Sequence, residues 1–200
     1  MKNGRPFIKM HGLGNDFVIL DGRERPVPLE PVEVELIANR NTGIGCDQLL
    51  VLGPSEKADA FMHIFNADGT EADACGNGAR CVARLLMKQM GADKVTLETN
   101  AGVLNGFDAG EGLVTVDMGP VKTNWEEIPM AEEKDTLQVD IEIAQENSEE
   151  DPLIWDPIAV NVGNPHLVFL VKNPSAVDLE TIGPIIENAD LFPEGINVGM

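Results

Sequence analysis

The sequence predicts an α/β (α+β) fold made of two similar domains, the second of them incomplete. Three observations predict it. Short apolar runs alternate with glycine-rich turns, one helix is apolar around most of its circumference, and Gly-Asn turns and carboxamides recur at equal spacing. The domains are expected to span residues 1–119 and 120–200, with the boundary at Gly119-Pro120.

Phe17-Val18-Ile19-Leu20, Gln48 to Leu52 and Ala60 to Phe65 read as strands, because each is short, apolar and bounded by turn residues. Helical spacing covers Glu30 to Asn41, and Asp68-Gly69 marks a tight turn. The strongest helix signal runs from Gly76 to Met90. Ala79, Val82, Ala83, Leu86 and Met90 recur at helical spacing, Leu85 and Met87 widen the apolar face, and Gly91 closes the helix. A helix with so little polar surface belongs at the centre of a domain. Lys94 to Thr99, Leu113 to Met118, Pro157 to Val162 and Leu167 to Val171 are further expected strands.

The repeat comes from counting. Gly14-Asn15 precedes one strand and Gly163-Asn164 precedes another, and 33 positions separate both Asn15 from Gln48 and Asn164 from Asn197. Each second carboxamide follows a glycine-isoleucine turn, at Gly43-Ile44-Gly45 and at Gly195-Ile196. Matched spacing of matched residues points to two copies of one unit.

Composition narrows the function. Thirty-four acidic residues against 14 basic give a net charge of −20, which argues against nucleic acid as a partner, because displacing its counterions takes a basic face. Much of the excess lies between Glu126 and Asp151, a stretch that reads as a solvated surface or linker. The chain has no apolar run long enough for a membrane span and no secretory h-region at its start. Three cysteines without a C-x-x-C read as free thiols in a reducing cytoplasm.

Cys75, in Ala74-Cys75-Gly76-Asn77-Gly78-Ala79-Arg80, stands at the start of the central helix. Unpaired N–H groups and the positive end of the helix dipole stabilise a thiolate there and can hold a carboxylate, while Gly76 and Gly78 let a ligand approach the backbone. A buried structural cysteine is the alternative at this point.

Six blocks in order resemble the diaminopimelate epimerase family: His11-Gly12-Leu13-Gly14-Asn15-Asp16-Phe17, Gly43-Ile44-Gly45 with Asp47-Gln48, Phe65 to Gly69, Ala74 to Arg80, Gly163-Asn164-Pro165-His166 and Phe192 to Asn197. The resemblance implies domains whose strands wrap around a central helix, with substrate in a cleft between them. It implies an isomerase that interconverts LL- and meso-2,6-diaminoheptanedioate in lysine and peptidoglycan precursor biosynthesis. Neither pyridoxal phosphate nor metal is implied as a cofactor. One thiolate removes the α-proton while a thiol on the other face delivers another. Position by position, Cys75 becomes a catalytic acid/base, and Asn15, Gln48, Asn66, Asn164 and Asn197 become substrate-binding residues. The backbone at Gly76 and Asn77 would hold the reacting carboxylate, and His166 becomes an auxiliary residue near the thiols. Singly, each carboxamide also fits a turn or cap. His11 and His63 are assigned to structure. Members of the family are commonly homodimers.

The second thiol is expected outside these 200 residues. Cys75 follows Gln48 by 27 positions, and the same step from Asn197 reaches about position 224. Cys81 lies six residues along the helix from Cys75, about 9 Å of rise and on another face. Cys46, two residues before Gln48, would share its side of an extended strand and reads as a small core residue. Two other readings compete: a non-catalytic remnant that binds a diamino acid or a protein partner, and a relative of the proline racemases or phenazine-type isomerases.

Overall fold

The computed structural model describes residues 4–141 and 156–200. The later part of the acidic stretch, including Glu149-Glu150-Asp151, lies outside the described residues. The chain divides into two compact units, at residues 118 and 119.

The first unit runs β1 (Ile8–Gly12), β2 (Asn15–Asp21), α1 (Pro31–Ala38), β3 (Gln48–Gly53), β4 (Ala60–Asn66), β5 (Glu71–Ala72), α2 (Gly76–Met90), β6 (Lys94–Thr99), β7 (Gly102–Gly110) and β8 (Leu113–Asp117). These strands form one sheet in the order β1-β2-β3-β4-β6-β7-β8, with β5 paired to β4. β2 runs parallel to β3 and β4 parallel to β6, while the other neighbours are antiparallel.

The apolar helix sits where its sequence puts it. Ala79, Val82, Ala83 and Leu86 of α2 are fully buried against Phe17, Ile19, Leu50, Leu52, Met62, Ile64, Val95 and Leu97. α2 touches β1 and β2 at one end of the sheet order and β6, β7 and β8 at the other, so the sheet curls around it. Burying each of these large side chains contributes about 1.5–3 kcal/mol, which makes this helix the anchor of the unit. On the sheet's outer face Val18, Leu20, Leu49 and Val51 pack with Val34 and Ala38 of α1. Strands covered on both faces explain why β2 and β3 read as unbroken apolar runs.

α1 is shorter than the expected Glu30 to Asn41. Glu30 and Glu33 form a capping box around Pro31, but Asn39 is already extended. Its side-chain oxygen accepts the backbone N–H groups of Asn41 and Thr42, both at 2.9 Å, and turns the chain out of the helix. β1, β5 and β7 add to the expected strands. β7 hides in the sequence because glycines at 102, 106 and 110 read as turn punctuation, although Gly106 is an inward, buried strand position.

The β1–β2 hairpin closes through Leu13 and Gly14, with φ of 54° and 93°. Two residues in the left-handed region make a type I′ turn, which favours Asn-Gly over Leu-Gly. Leu13 is 92% exposed and gains little from packing in return. Leu13→Asn is therefore expected to stabilise the unit by about 1 kcal/mol, seen as a higher Tm; an unchanged or lower Tm would contradict this.

In the second unit, β9 (Ile158–Asn161), β10 (Pro165–Val168) and β11 (Asn197–Gly199) form a sheet in the order β11-β10-β9, accompanied by α3 (Leu179–Glu187). The strand expected over Leu167 to Val171 is shifted: it begins at Pro165 and ends at Val168. α3 was not expected because Pro184 interrupts its pattern. Asp178 caps it by accepting the Thr181 backbone N–H, and Ile182 and Ile186 turn into a core with Phe169, Phe192 and Ile196.

The counted repeat is structural. β9-β10-α3-β11 repeats the order of β1-β2-α1-β3, with an antiparallel pair followed by a parallel one in both units. Register matches too: Phe17 lies opposite Gln48, and His166 lies opposite Asn197, each two positions after its turn asparagine.

Candidate active site

Three strand ends and one helix start converge in the first unit. Asn15 and Gln48 open the parallel strands β2 and β3, and Asn66 closes the antiparallel β4, so all three lie at the same end of neighbouring strands. They stand two positions from Phe17, Leu50 and Ile64 respectively, which places them on the face that packs α2. The Gln48 Nε2 donates to Asn66 Oδ1 at 2.9 Å, and Asn66 Nδ2 donates to Thr70 Oγ1 at 3.1 Å.

Cys75 is the N-cap of α2, with extended φ and ψ, and its sulfur accepts the Gly78 backbone N–H at 3.3 Å. A Cβ at Gly78 would stand 3.2 Å from Leu50 and 3.4 Å from the Cys75 sulfur, so glycine keeps this first turn tight. Burial pushes the thiol above its ordinary pKa, against the opposing pull of the Gly78 and Asn77 N–H groups and of Arg80. The group is thus a thiol at rest, with donors in place for the thiolate. It contacts the Asn15 Oδ1 at 3.8 Å, and Asn77 Nδ2 donates to the same oxygen at 3.4 Å. The structure therefore brings Asn15, Cys75, Gly76 and Asn77 together, beside the Gln48–Asn66 pair.

The other cysteines stay apart from this chemistry. Cys46 and Cys81 are buried, and burial raises both thiols. Cys46 was expected on the same side as Gln48, and that expectation fails: it packs in the outer cluster with Leu49 and Val51. Strand alternation begins only at Gln48, and Gly45, at φ 79°, turns the chain just before Cys46. Cys81 packs in the core around α2.

Within the second unit, Asn164 Oδ1 accepts from His166 Nε2 at 2.9 Å, and Asn197 Nδ2 donates to the Pro165 carbonyl at 2.9 Å. Burial lowers the His166 pKa, so the ring is neutral near pH 7. His63, assigned to structure, pairs with Glu71 and lies between Phe61 and Phe65.

Sequence reasoning missed a charged cluster next to Asn15. Arg40 donates to Asp16 Oδ1 at 2.6 Å and to Asp47 Oδ1 at 2.7 Å, and Lys9 pairs with Asp16. Asp47 Oδ2 in turn accepts from the Asp16 backbone N–H at 2.8 Å and from Asn15 Nδ2 at 3.2 Å. The signal was that an aspartate adjoins each of two matched carboxamides, Asp16 after Asn15 and Asp47 before Gln48. Hydrogen bonding from Arg40, with help from Lys9, holds the Asp16 carboxyl well below the ordinary carboxylate range. A depressed folded-state pKa adds stability above about pH 4 that is lost as pH falls further. The urea midpoint is therefore expected to drop below about pH 4, and to drop less steeply in Asp16→Asn. Parallel profiles for both proteins would refute this.

A family profile described as diaminopimelate epimerase matches residues 7–124. A diaminopimelate epimerase of Acidiphilium cryptum is 47% identical over 199 residues, covering 100% of this chain and 69% of the relative. The chain belongs to the diaminopimelate epimerase family. A second member, from Rhodospirillum centenum, is also 47% identical and covers 97% of this chain and 65% of its own length. The chain thus spans about two thirds of the curated diaminopimelate epimerases it matches. A crystal structure of a hydroxyproline epimerase from Agrobacterium vitis superposes with TM-score 0.60 at 16% identity, covering 95% of this chain and 64% of that one. At that identity the likeness concerns the fold alone, and it agrees with the curled sheet around α2. By family, diaminopimelate epimerases are isomerases. Among the described residues, no helix is long and apolar enough to cross a membrane.

Proposed function

We propose that the protein is a cofactor-independent, two-base epimerase that interconverts LL- and meso-diaminopimelate in the cytoplasm, within lysine and peptidoglycan precursor biosynthesis. The observation that carries this is Cys75 as N-cap of α2, with an N–H donor at its sulfur and the Asn15 carboxamide in contact. Cys75 gives or takes the α-proton on one face of the substrate. The backbone N–H groups of Gly76 and Asn77, at the positive end of the helix, hold the reacting carboxylate and stabilise the carbanion-like state. A Cβ at Gly76 would meet only Met118 Sδ, at 3.7 Å, which supports glycine there for ligand access rather than for packing.

Asn15, Gln48 and Asn66 bind substrate through carboxamides at the strand ends. Asn164 and Asn197 do the same at the matched positions of the second unit, and His166 is auxiliary. The second acid/base group is a cysteine near position 224, within the third of the relatives' length that the chain does not span. The protein works as a homodimer.

The test is conversion of LL-diaminopimelate to the meso form by the full-length enzyme, followed by chiral chromatography, with proline offered in parallel. Conversion of diaminopimelate alone supports the reading. Conversion of proline alone points to a racemase of the related class. Turnover of neither overturns the enzymatic reading in favour of a binding remnant.

A further inference from the structure

The direction of the two carboxamides beside Cys75 is set by charged groups outside the proposed machinery. Asp47 carries only acceptors, so it takes the amide nitrogen of Asn15, at 3.2 Å, and turns that residue's oxygen inward. Arg80 carries only donors, so it takes the oxygen of Asn77 and turns that residue's nitrogen inward. The two inward groups meet, Asn77 Nδ2 donating to Asn15 Oδ1 at 3.4 Å. A directed chain results: Asp47, Asn15, Asn77, Arg80. The Cys75 sulfur touches it at the Asn15 oxygen, 3.8 Å away. Gly12 lets the hairpin close onto it, since a Cβ there would stand 3.3 Å from the Asn77 carbonyl. Arg40, itself paired with Asp16, holds Asp47 in place.

We propose that Asp47 and Arg80 are positioning residues that fix the polarity of this chain, so that Cys75 meets an acceptor and is kept as a thiol, the proton-donating form. An amide oxygen accepts from S–H and opposes S⁻, whereas the flipped amide would donate to S⁻ and favour it. Arg80 is the charge that acts on the thiol directly, and it favours the thiolate. Lys9, Asp16, Arg40 and Asp47 reach the thiol through Asn15. Other titratable groups at this end of the unit are His11 on β1, Asp73 before α2, Cys81 within it and Asp117 at the end of β8. On the remaining strands packed against α2, Lys94 lies over the Phe107 ring, Glu98 pairs with Lys57, and Asp108 accepts from Gly110. The proposal rests on Cys75 as an acid/base group, but its test reads the thiol and not turnover, so the two can fail separately.

The experiment is iodoacetamide alkylation of Cys75 across pH, followed by mass spectrometry of the peptide that carries it. In Asp47→Ala the Asn15 nitrogen loses its acceptor, only the long contacts of Asn77 and Cys75 hold the oxygen, and the amide is free to turn. The apparent Cys75 pKa is expected to fall by about one unit, with about tenfold faster alkylation at neutral pH. Asn15→Ala removes the acceptor but leaves the Asp47 ion pairs intact, and the same downward shift is expected. The shift should persist in about 0.5 M NaCl, which screens a through-space charge effect but not a hydrogen bond. Arg80→Lys retains charge and donor and should leave the profile in place. A folded Asp47→Ala protein with an unchanged or raised Cys75 pKa overturns the proposal. If that variant fails to fold, an unchanged or raised pKa in Asn15→Ala does so.

Discussion

Replacing Gly106 with alanine is expected to destabilise the first unit by about 2–3 kcal/mol and lower its Tm by roughly 10 °C. The added Cβ would stand 2.6 Å from the Ala83 Cβ, about 1 Å inside ordinary van der Waals contact. Neither atom can rotate away, because each is fixed directly to backbone, one in β7 and one in α2. Relief therefore takes movement of the helix as a whole, and with it Val82 and Leu86 against the sheet. Ala83→Gly in the same chain should recover part of the loss, less about 1 kcal/mol for glycine within a helix. Denaturant unfolding of the two single variants and the double variant checks this as a thermodynamic cycle. Additive losses without recovery would show that the contact between α2 and β7 does not govern stability.

Cys75→Ala in the full-length enzyme is expected to reduce kcat by about a thousandfold or more while changing KM little. Proton transfer on one face of the substrate loses its group, whereas the Gly76 and Asn77 backbone and the strand-end carboxamides remain to bind it. Gln48→Ala is expected to show the reverse emphasis, because its 2.9 Å bond to Asn66 orders a binding residue and not the sulfur. A Cys75→Ala enzyme with near-normal kcat would remove Cys75 from the chemistry. Equal losses in kcat for both variants would erase the distinction between reacting and binding residues.

Much of this architecture is legible in the sequence, for local reasons. α2 announces itself because its apolar positions recur at helical spacing and its ends carry their own signals, Cys75-Gly76 before it and Gly91, at φ 64°, after it. The repeat emerges from equal spacing, since a repeated β-β-α-β order with the same register forces carboxamides to recur at the same separation. Strands such as β7 escape because a glycine facing a helix at close range looks the same in sequence as a glycine in a turn. α3 escapes because Pro184 lies inside it and weakens its local helix signal, while its tertiary contacts through Ile182 and Ile186 hold the helix together. The aspartates beside Asn15 and Gln48 are visible in the sequence, but their cationic partners are not. Lys9, Asp16, Arg40 and Asp47 come from separate stretches of the chain, and the pairing of β2 with both β1 and β3 makes them neighbours.

The central claim is that Cys75 exchanges a proton with the α-carbon of diaminopimelate. Deuterium incorporation at that carbon, followed by mass spectrometry in D2O with the full-length enzyme and its Cys75→Ala variant, tests it most directly. Solvent deuterium is expected in the product of the unsubstituted enzyme, with a loss of about a thousandfold in the incorporation rate of the variant. Incorporation at an undiminished rate in the variant would contradict it.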